Sequence, residues 1–204
     1  AITVKNATLE NNTVPVEGKL GTGINNSGID GLNICLEGTS TFTTFSHAIL
    51  SDKSFSITGN GTLNATSIDS CGVCLHGNAV QWTVNGPKVN ATAETYFAFF
   101  SYKDNSSLTV EGTSTSLTLQ SLVDMPTILR LGSLTLGSGV SITEPAGGIF
   151  SPGLQTITTD GTSFYRGKVV ISGTEPTEPE EPEAASPFFS YYGNNYKSLS
   201  FPQD

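Results

Sequence analysis

A five-residue pattern, apolar–x–apolar–x–Gly, returns about every 26 residues through the middle of this 204-residue chain. Clear copies occupy residues 34–38, 55–59, 82–86 and 108–112, and looser ones occupy 2–6, 134–137 and 169–173. Alternation of apolar and polar residues predicts a short strand with one buried face. Repeats of this length that each hold such a strand are typical of architectures built by stacking.

Two further apolar positions recur between copies of this pattern. One is a small–apolar pair, at residues 23–24, 48–49, 72–73, 98–99 and 148–149, and the other is a single position, at Phe42, Leu63, Val89, Leu117 and Val140. Three short strands per repeat and no helical stripe predict an all-β fold, a single-stranded right-handed parallel β-helix of about six to seven coils. The repeated Gly predicts corners at positive φ. An antiparallel sandwich or barrel is the alternative.

The composition changes sharply near the C-terminus. Residues 174–187 are rich in Pro and Glu, which predicts an extended linker after a β-helix of residues 1–173. Residues 188–204 form an aromatic tail. Because stacked repeats expose strand edges at their ends, we expect this tail to pack on the coil.

The charge of the chain excludes several classes of partner. A net charge of −9 with scattered Lys and Arg argues against nucleic acid and against anionic membrane surfaces. An apolar run that could span a membrane is missing from the sequence, so we predict no membrane insertion. Three cysteines are too few for a disulfide framework.

Catalytic and metal-binding patterns are weak. The segment 71–76, Cys-Gly-Val-Cys-Leu-His, lacks a fourth ligand, and strand residues three apart point to opposite faces, which predicts core fillers. Glu37 and Glu111 occupy the same repeat position, but three strand spacings of roughly 14 Å would separate them. Arg130 and Lys168 lack an accompanying cluster of aspartates. We therefore predict no catalytic site, no metal and no cofactor; calcium has no support.

Threonine and asparagine are frequent enough to suggest two other interpretations. Stacked Thr-x-Thr pairs could order water and bind ice, but the pairs at 39–44 and 156–159 do not recur at one repeat position, which favours Thr as a strand former. Several Asn-x-Ser/Thr sequons are compatible with an extracellular protein. Six of them begin at Asn6, Asn11, Asn60, Asn64, Asn90 and Asn105.

Exposed aromatic residues are the best binding candidates, because sugar rings stack on aromatic faces. The tail supplies Tyr191, Tyr192 and Tyr196 beside Asn194 and Asn195. These five residues are the predicted ligand contacts, with packing on the coil as the alternative. Trp82 occupies an inward repeat position and is predicted to lie in the core.

The segments 2–8 (ITVKNAT), 23–25 (GIN), 36–42 (LEGTSTF) and 57–63 (ITGNGTL) resemble the repeats of secreted or surface right-handed parallel β-helix proteins of gut Bacteroidales. Some of those proteins are described as carbohydrate-binding or adhesin-like, and many are outer-membrane lipoproteins. The resemblance implies an extracellular or cell-surface location and a polysaccharide or a glycan of a host or neighbouring cell as partner. We predict a non-catalytic glycan-binding or adhesion module. A structural spacer in a larger surface protein and a polysaccharide lyase or hydrolase are the alternatives.

Overall fold

The fold was analysed in a computed structural model that describes residues 1–11 and 21–174. These residues form twenty strands and no helix. The strands are β1 (Ile2–Lys5), β2 (Thr8–Asn11), β3 (Ile24–Asn26), β4 (Leu32–Glu37), β5 (Thr39–Thr44), β6 (Ile49–Ser51), β7 (Phe55–Gly59), β8 (Thr62–Ser67), β9 (Val73–Leu75), β10 (Gln81–Asn85), β11 (Lys88–Ala93), β12 (Phe99–Ser101), β13 (Ser107–Glu111), β14 (Ser116–Ser121), β15 (Ile128–Leu129), β16 (Ser133–Leu136), β17 (Val140–Glu144), β18 (Ile149–Ser151), β19 (Thr156–Thr158) and β20 (Val169–Gly173).

The strands stack into three sheets that form the sides of a parallel β-helix. The first sheet has the order β1-β4-β7-β10-β13-β16, and the third has the order β15-β12-β9-β6-β3. The second runs β17-β20-β14-β11-β8-β5-β2 and is parallel from β2 to β14. Each turn takes one strand from each sheet, so the all-β fold of stacked parallel strands predicted from the repeats is confirmed. About four turns, from β4 to β15, are complete.

Inward side chains of successive turns stack like on like. In the first sheet Ile34, Ile57 and Val84 are in register, and each is fully buried. The core also holds an aromatic stack in which the Trp82 ring lies between Phe55, at 5.9 Å, and Phe99, at 6.1 Å. Contacts between apolar side chains of neighbouring turns therefore provide a continuous hydrophobic core.

The corner glycines adopt the predicted conformation. Gly59, Gly86 and Gly112 have φ values of 99°, 101° and 84°, and the stand-in residue Asn6 has a φ of 46°. Asn tolerates this region because its short polar side chain bonds locally. Here the Asn6 Oδ1 accepts a hydrogen bond from the Thr39 backbone N–H at 3.1 Å.

The register of the second turn differs from the prediction by two residues. Cys35, and not Glu37, lies opposite Thr58, and Ser40, and not Phe42, lies opposite Leu63. The shift arises because β4 continues past the position of the Gly59 corner before it turns. Glu37 and Glu111 therefore do not share a repeat position.

The C-terminal part departs from the repeat, and the six to seven predicted coils are not confirmed. Strand β20 runs antiparallel between β14 and β17, and β18 and β19 form an antiparallel hairpin. The patterns at Val140, 148–149 and 169–173 thus belong to antiparallel strands and not to further coils. Alternation of apolar and polar residues predicts a strand but does not specify its direction.

The tail, 188–204, and the linker, 174–187, lie outside the described residues except for Thr174. The division of the chain into three segments and the packing of the tail on the coil therefore stay predictions.

Candidate functional site

The five tail residues predicted to contact a ligand all lie outside the described residues. They are Tyr191, Tyr192, Tyr196, Asn194 and Asn195. Trp82 is fully buried, which confirms its predicted place in the core. The exposed aromatic residues of the described part are Tyr102, directly after β12 of the third sheet, Tyr96, in the corner before β12, and Phe164, in the loop after β19.

The outer face of the third sheet carries an apolar ladder. Leu50, Cys74, Phe100 and Leu129 are in register on neighbouring strands, facing away from the coil interior. Outward positions of a solenoid are normally polar, because they face solvent. A contiguous apolar outer face is therefore the feature of this fold that best marks a binding surface.

Three aromatic side chains of one turn cover the middle of this ladder. The Phe100 ring lies 5.5 Å from Phe97 in a stacked arrangement and 4.9 Å from Tyr102 edge to face. Tyr102 is 46% exposed, and both Phe rings are half-buried. We call Phe97, Phe100 and Tyr102 the aromatic platform. Its sequence signal was the aromatic-rich segment 96–102, whose inward position is Phe99.

Polar groups border the platform on the side of the preceding turns. The His76 ring meets the Tyr102 ring edge to face at 4.7 Å, and its Nδ1 lies 2.9 Å from the Asp52 carboxylate. In the same two corners, which follow β9 and β12, the Asn105 amide donates a hydrogen bond to the Asn78 side-chain oxygen at 3.1 Å. An apolar ring face beside imidazole, carboxylate and amide groups can contact both the C–H face and the hydroxyls of a sugar.

The cysteines of the segment 71–76 lie beneath this surface as packing residues. Cys71 and Cys74 are buried and unbridged. Burial raises the pKa of the Cys71 thiol to about 11 and raises that of Cys74 still further. Both thiols therefore stay protonated near neutral pH and are poor nucleophiles and metal ligands. Both thiols are therefore buried packing residues, but Cys74 lies on the outer side of β9, in register with Leu50 and Phe100, and not in the coil interior.

His47 lies in the corner that precedes β6, and its burial has a consequence for stability. Its ring lies 2.8 Å from the Ser70 hydroxyl, and its pKa is lowered from 6.5, first by desolvation and further by the charge of His76. A hydrogen bond with the Cys71 backbone opposes this shift.

We therefore expect acid to destabilise the protein through His47. Below pH 6.5 the unfolded chain binds a proton that the folded His47 does not, so the free energy of unfolding decreases as pH falls toward the folded pKa. His47→Gln is expected to flatten this decrease. Urea unfolding of both proteins between pH 7.5 and 5 measures it; equal slopes in the two would contradict the prediction.

Three of the four charged groups considered for catalysis are held in exposed ion pairs, and the fourth, Glu111, accepts a hydrogen bond from the Asn85 amide. Arg130 pairs with Asp104 at 2.6 Å, and Lys168 pairs with Glu144 at 2.9 Å. Glu37 pairs with Lys5 at 2.9 Å. Exposed pairs of this kind contribute little to stability. Within residues 1–11 and 21–174, no group of three or more His, Cys, Asp and Glu side chains is placed to hold a metal ion.

Several sequon asparagines have structural hydrogen bonds. The Asn90 amide donates to the Asn64 side-chain oxygen at 2.8 Å on the outer face of the second sheet. Asn105 bonds to Asn78, and Asn6 caps the corner at Thr39. Stacking of like side chains on successive turns thus explains the asparagines of the Asn64–Asn90 and Asn78–Asn105 pairs, whereas Asn6 occupies a corner at positive φ.

Comparison with models of protein families, with curated proteins and with solved structures finds no match to this chain. No helix in the described ranges is long and apolar enough to cross a membrane.

Proposed function

We propose that the protein is a non-catalytic extracellular or cell-surface module that binds a polysaccharide or a surface glycan through the aromatic platform. The observation that carries this proposal is the set of three contiguous aromatic rings on the outer face of a rigid sheet. Aromatic residues supply a large contact area at a low entropic cost, since each has only two side-chain torsions.

The surroundings of the platform support a sugar as the ligand. His76 and Asp52 lie at one edge, where they can exchange hydrogen bonds with hydroxyls. The strand β12, which carries Phe100, is paired on both sides, so the rings start from a fixed backbone. A preorganised surface binds with less loss of conformational entropy than a mobile loop does.

The finer features of the predicted architecture belong to the same proposal. We propose that the helix is right-handed, and that the aromatic tail at 188–204 adds to the binding surface or packs on the coil. Attachment to an outer membrane as a lipoprotein would present the platform to glycans outside the cell.

Tyr102→Ala tests the glycan site. We expect it to weaken binding to a responsive glycan on an array of plant, mucin and bacterial polysaccharides by about tenfold or more, since aromatic hot-spot residues cost 2 kcal/mol or more on truncation. The matched control is Phe164→Ala, because Phe164 is an aromatic residue of similar exposure, 40%, in the loop after β19. The proposal fails if no glycan binds, or if both variants lose affinity equally.

A structural spacer is the second candidate, and one observation favours it. Ile2 is in register with the fully buried Ile34, yet 47% of Ile2 is exposed. Its inward side chain is therefore not covered by another turn among the described residues. An end of this kind offers unsatisfied strand edges and apolar surface on which a further coil could stack. Absence of glycan binding by the intact protein would favour this candidate.

A further inference from the structure

The outer face of the second sheet forms a regular array of small polar side chains. In one column of the sheet Thr43, Thr66 and Thr92 are in register on β5, β8 and β11. In the neighbouring column Thr41, Asn64 and Asn90 are in register, and Thr118 on β14 continues it. The Thr-x-Thr pair itself does not recur on successive strands, as the sequence indicated, since β8 and β11 carry Asn-x-Thr and β14 carries Thr-x-Gln. What recurs is a single column of threonines, Thr43, Thr66 and Thr92. We call these two columns the hydroxyl array: Thr41, Thr43, Asn64, Thr66, Asn90, Thr92, Thr118 and Gln120.

The array is regular in two directions. The four strands β5, β8, β11 and β14 pair in parallel through six consecutive residues at each junction, with no shift of register. Side chains therefore repeat at about 4.8 Å from strand to strand and at roughly 6.6 Å along each strand. Repeats of similar size occur on the prism faces of hexagonal ice.

The threonine hydroxyls of the array are available to solvent. Inward hydroxyls are bonded within the protein, as when Thr44 donates to the Thr66 carbonyl at 3.2 Å. In contrast, the hydroxyls of Thr43, Thr66 and Thr92 have no hydrogen-bond partner in the part of the chain that the structure describes. Because threonine is β-branched, its χ1 torsion is restricted. The hydroxyls and methyls are thus held at fixed positions before any ligand arrives.

The charges and the shape of this face agree with ordered water as its ligand. None of the eight side chains of the array is charged, whereas Glu10 and Lys88 lie at its borders on β2 and β11. Charged groups hold their own hydration shells and would disturb a water lattice. The outer face of the third sheet is apolar. The first sheet also carries a threonine column, Thr83, Thr109 and Thr135, but it differs from the hydroxyl array because it holds the charged Glu37 and Glu111.

We infer that the hydroxyl array binds ice, holding a layer of water in positions that match the crystal lattice. The threonine hydroxyls hydrogen-bond to lattice waters, and the threonine methyls fill the spaces between them. Such a site needs no catalytic residue, no metal and no aromatic side chain. It is separate from the aromatic platform, which lies on another side of the β-helix.

Thr66→Lys tests the ice site with the full chain. Thr66 lies at the centre of the array, so a charged, longer side chain there is expected to abolish inhibition of ice recrystallisation and enrichment of the protein in growing ice. Thr92→Lys is expected to do the same. The matched control is Thr83→Lys: Thr83 is half-buried like Thr66 and outward-facing, but it lies on the first sheet between Ser56 and Thr109. This variant should keep full activity.

The readouts separate loss of the site from loss of the fold. Thermal unfolding followed by circular dichroism should give all three variants melting temperatures close to that of the parent protein, because each replaces an outward residue. The inference is overturned if the intact protein is excluded from ice and does not inhibit recrystallisation. It is overturned also if Thr83→Lys loses as much activity as Thr66→Lys. A third contradicting outcome is that the intact protein binds microcrystalline cellulose or chitin through the hydroxyl array and does not bind ice.

Discussion

Trp82→Ala is expected to lower the free energy of unfolding by about 3–5 kcal/mol, the range found when large aromatic residues are removed from cores. Trp82 is fully buried, and its ring is stacked between Phe55 and Phe99 of neighbouring sheets and turns. Removal of the ring leaves a cavity that these two side chains cannot fill, because their own strands are held in register on both sides.

A second substitution separates packing from polarity at this position. The indole Nε1 of Trp82 is buried and has no hydrogen-bond partner among the described residues. Trp82→Phe keeps an aromatic ring in the stack and removes that group, whose burial without a partner is unfavourable. We expect it to cost less than about 1.5 kcal/mol. Because Trp82 is the only tryptophan, both substitutions remove the tryptophan fluorescence signal. Urea unfolding of the two variants is therefore followed by circular dichroism. Equal losses in the two would contradict the packing argument.

Gly59→Ala is expected to destabilise the protein by about 2–4 kcal/mol, through backbone strain and overpacking together. Gly59 has a φ of 99°, a conformation that side chains resist. A Cβ at this position would also lie 2.4 Å from the Leu36 carbonyl oxygen of the preceding turn. Neither atom can move freely, since both belong to paired strands.

Gly31→Ala is the control that isolates the strain. Gly31 has a φ of 70°, but a Cβ there meets no atom within 4 Å. It should cost only about 1–2 kcal/mol, the penalty of the left-handed conformation alone. The midpoints of urea unfolding of the two variants provide the comparison, and a loss in Gly31→Ala as large as that in Gly59→Ala would show that the contact with Leu36 contributes nothing.

The repeats predicted the fold better than they predicted its details. Three apolar positions that recur in a constant order specify three stacked strands per turn. This inference needs only the expectation that apolar side chains face the interior. The register cannot be obtained in this way, because the spacings between turns are unequal. A fixed period aligned Glu37 with Thr58, whereas the strands align Cys35 with it.

The same unequal spacing concealed the hydroxyl array. Thr43, Thr66 and Thr92 are separated by different numbers of residues, so their alignment became visible only with the strand pairing. Phe100 could not be predicted for a different reason. Reasoning from sequence places apolar residues in the interior, and in the aromatic-rich run 97–102 the sequence does not indicate which rings face outward. Ala98 and Phe99 are consecutive and both buried, so the regular alternation of inward and outward side chains is interrupted at this corner.

The reversed direction of β20 limits how these molecules can associate. A filament of parallel β-helices grows when the last turn of one molecule templates the first turn of the next, strand upon parallel strand. In the second sheet the C-terminal end finishes in the antiparallel pair β20 and β17, so the parallel ladder of that sheet cannot continue across a head-to-tail joint. The N-terminal end, where Ile2 is exposed, lacks such a block in the described residues. Among the described residues, the parallel ladder of the second sheet therefore ends in antiparallel strands beyond β14, whereas β2 at its other end has no antiparallel partner.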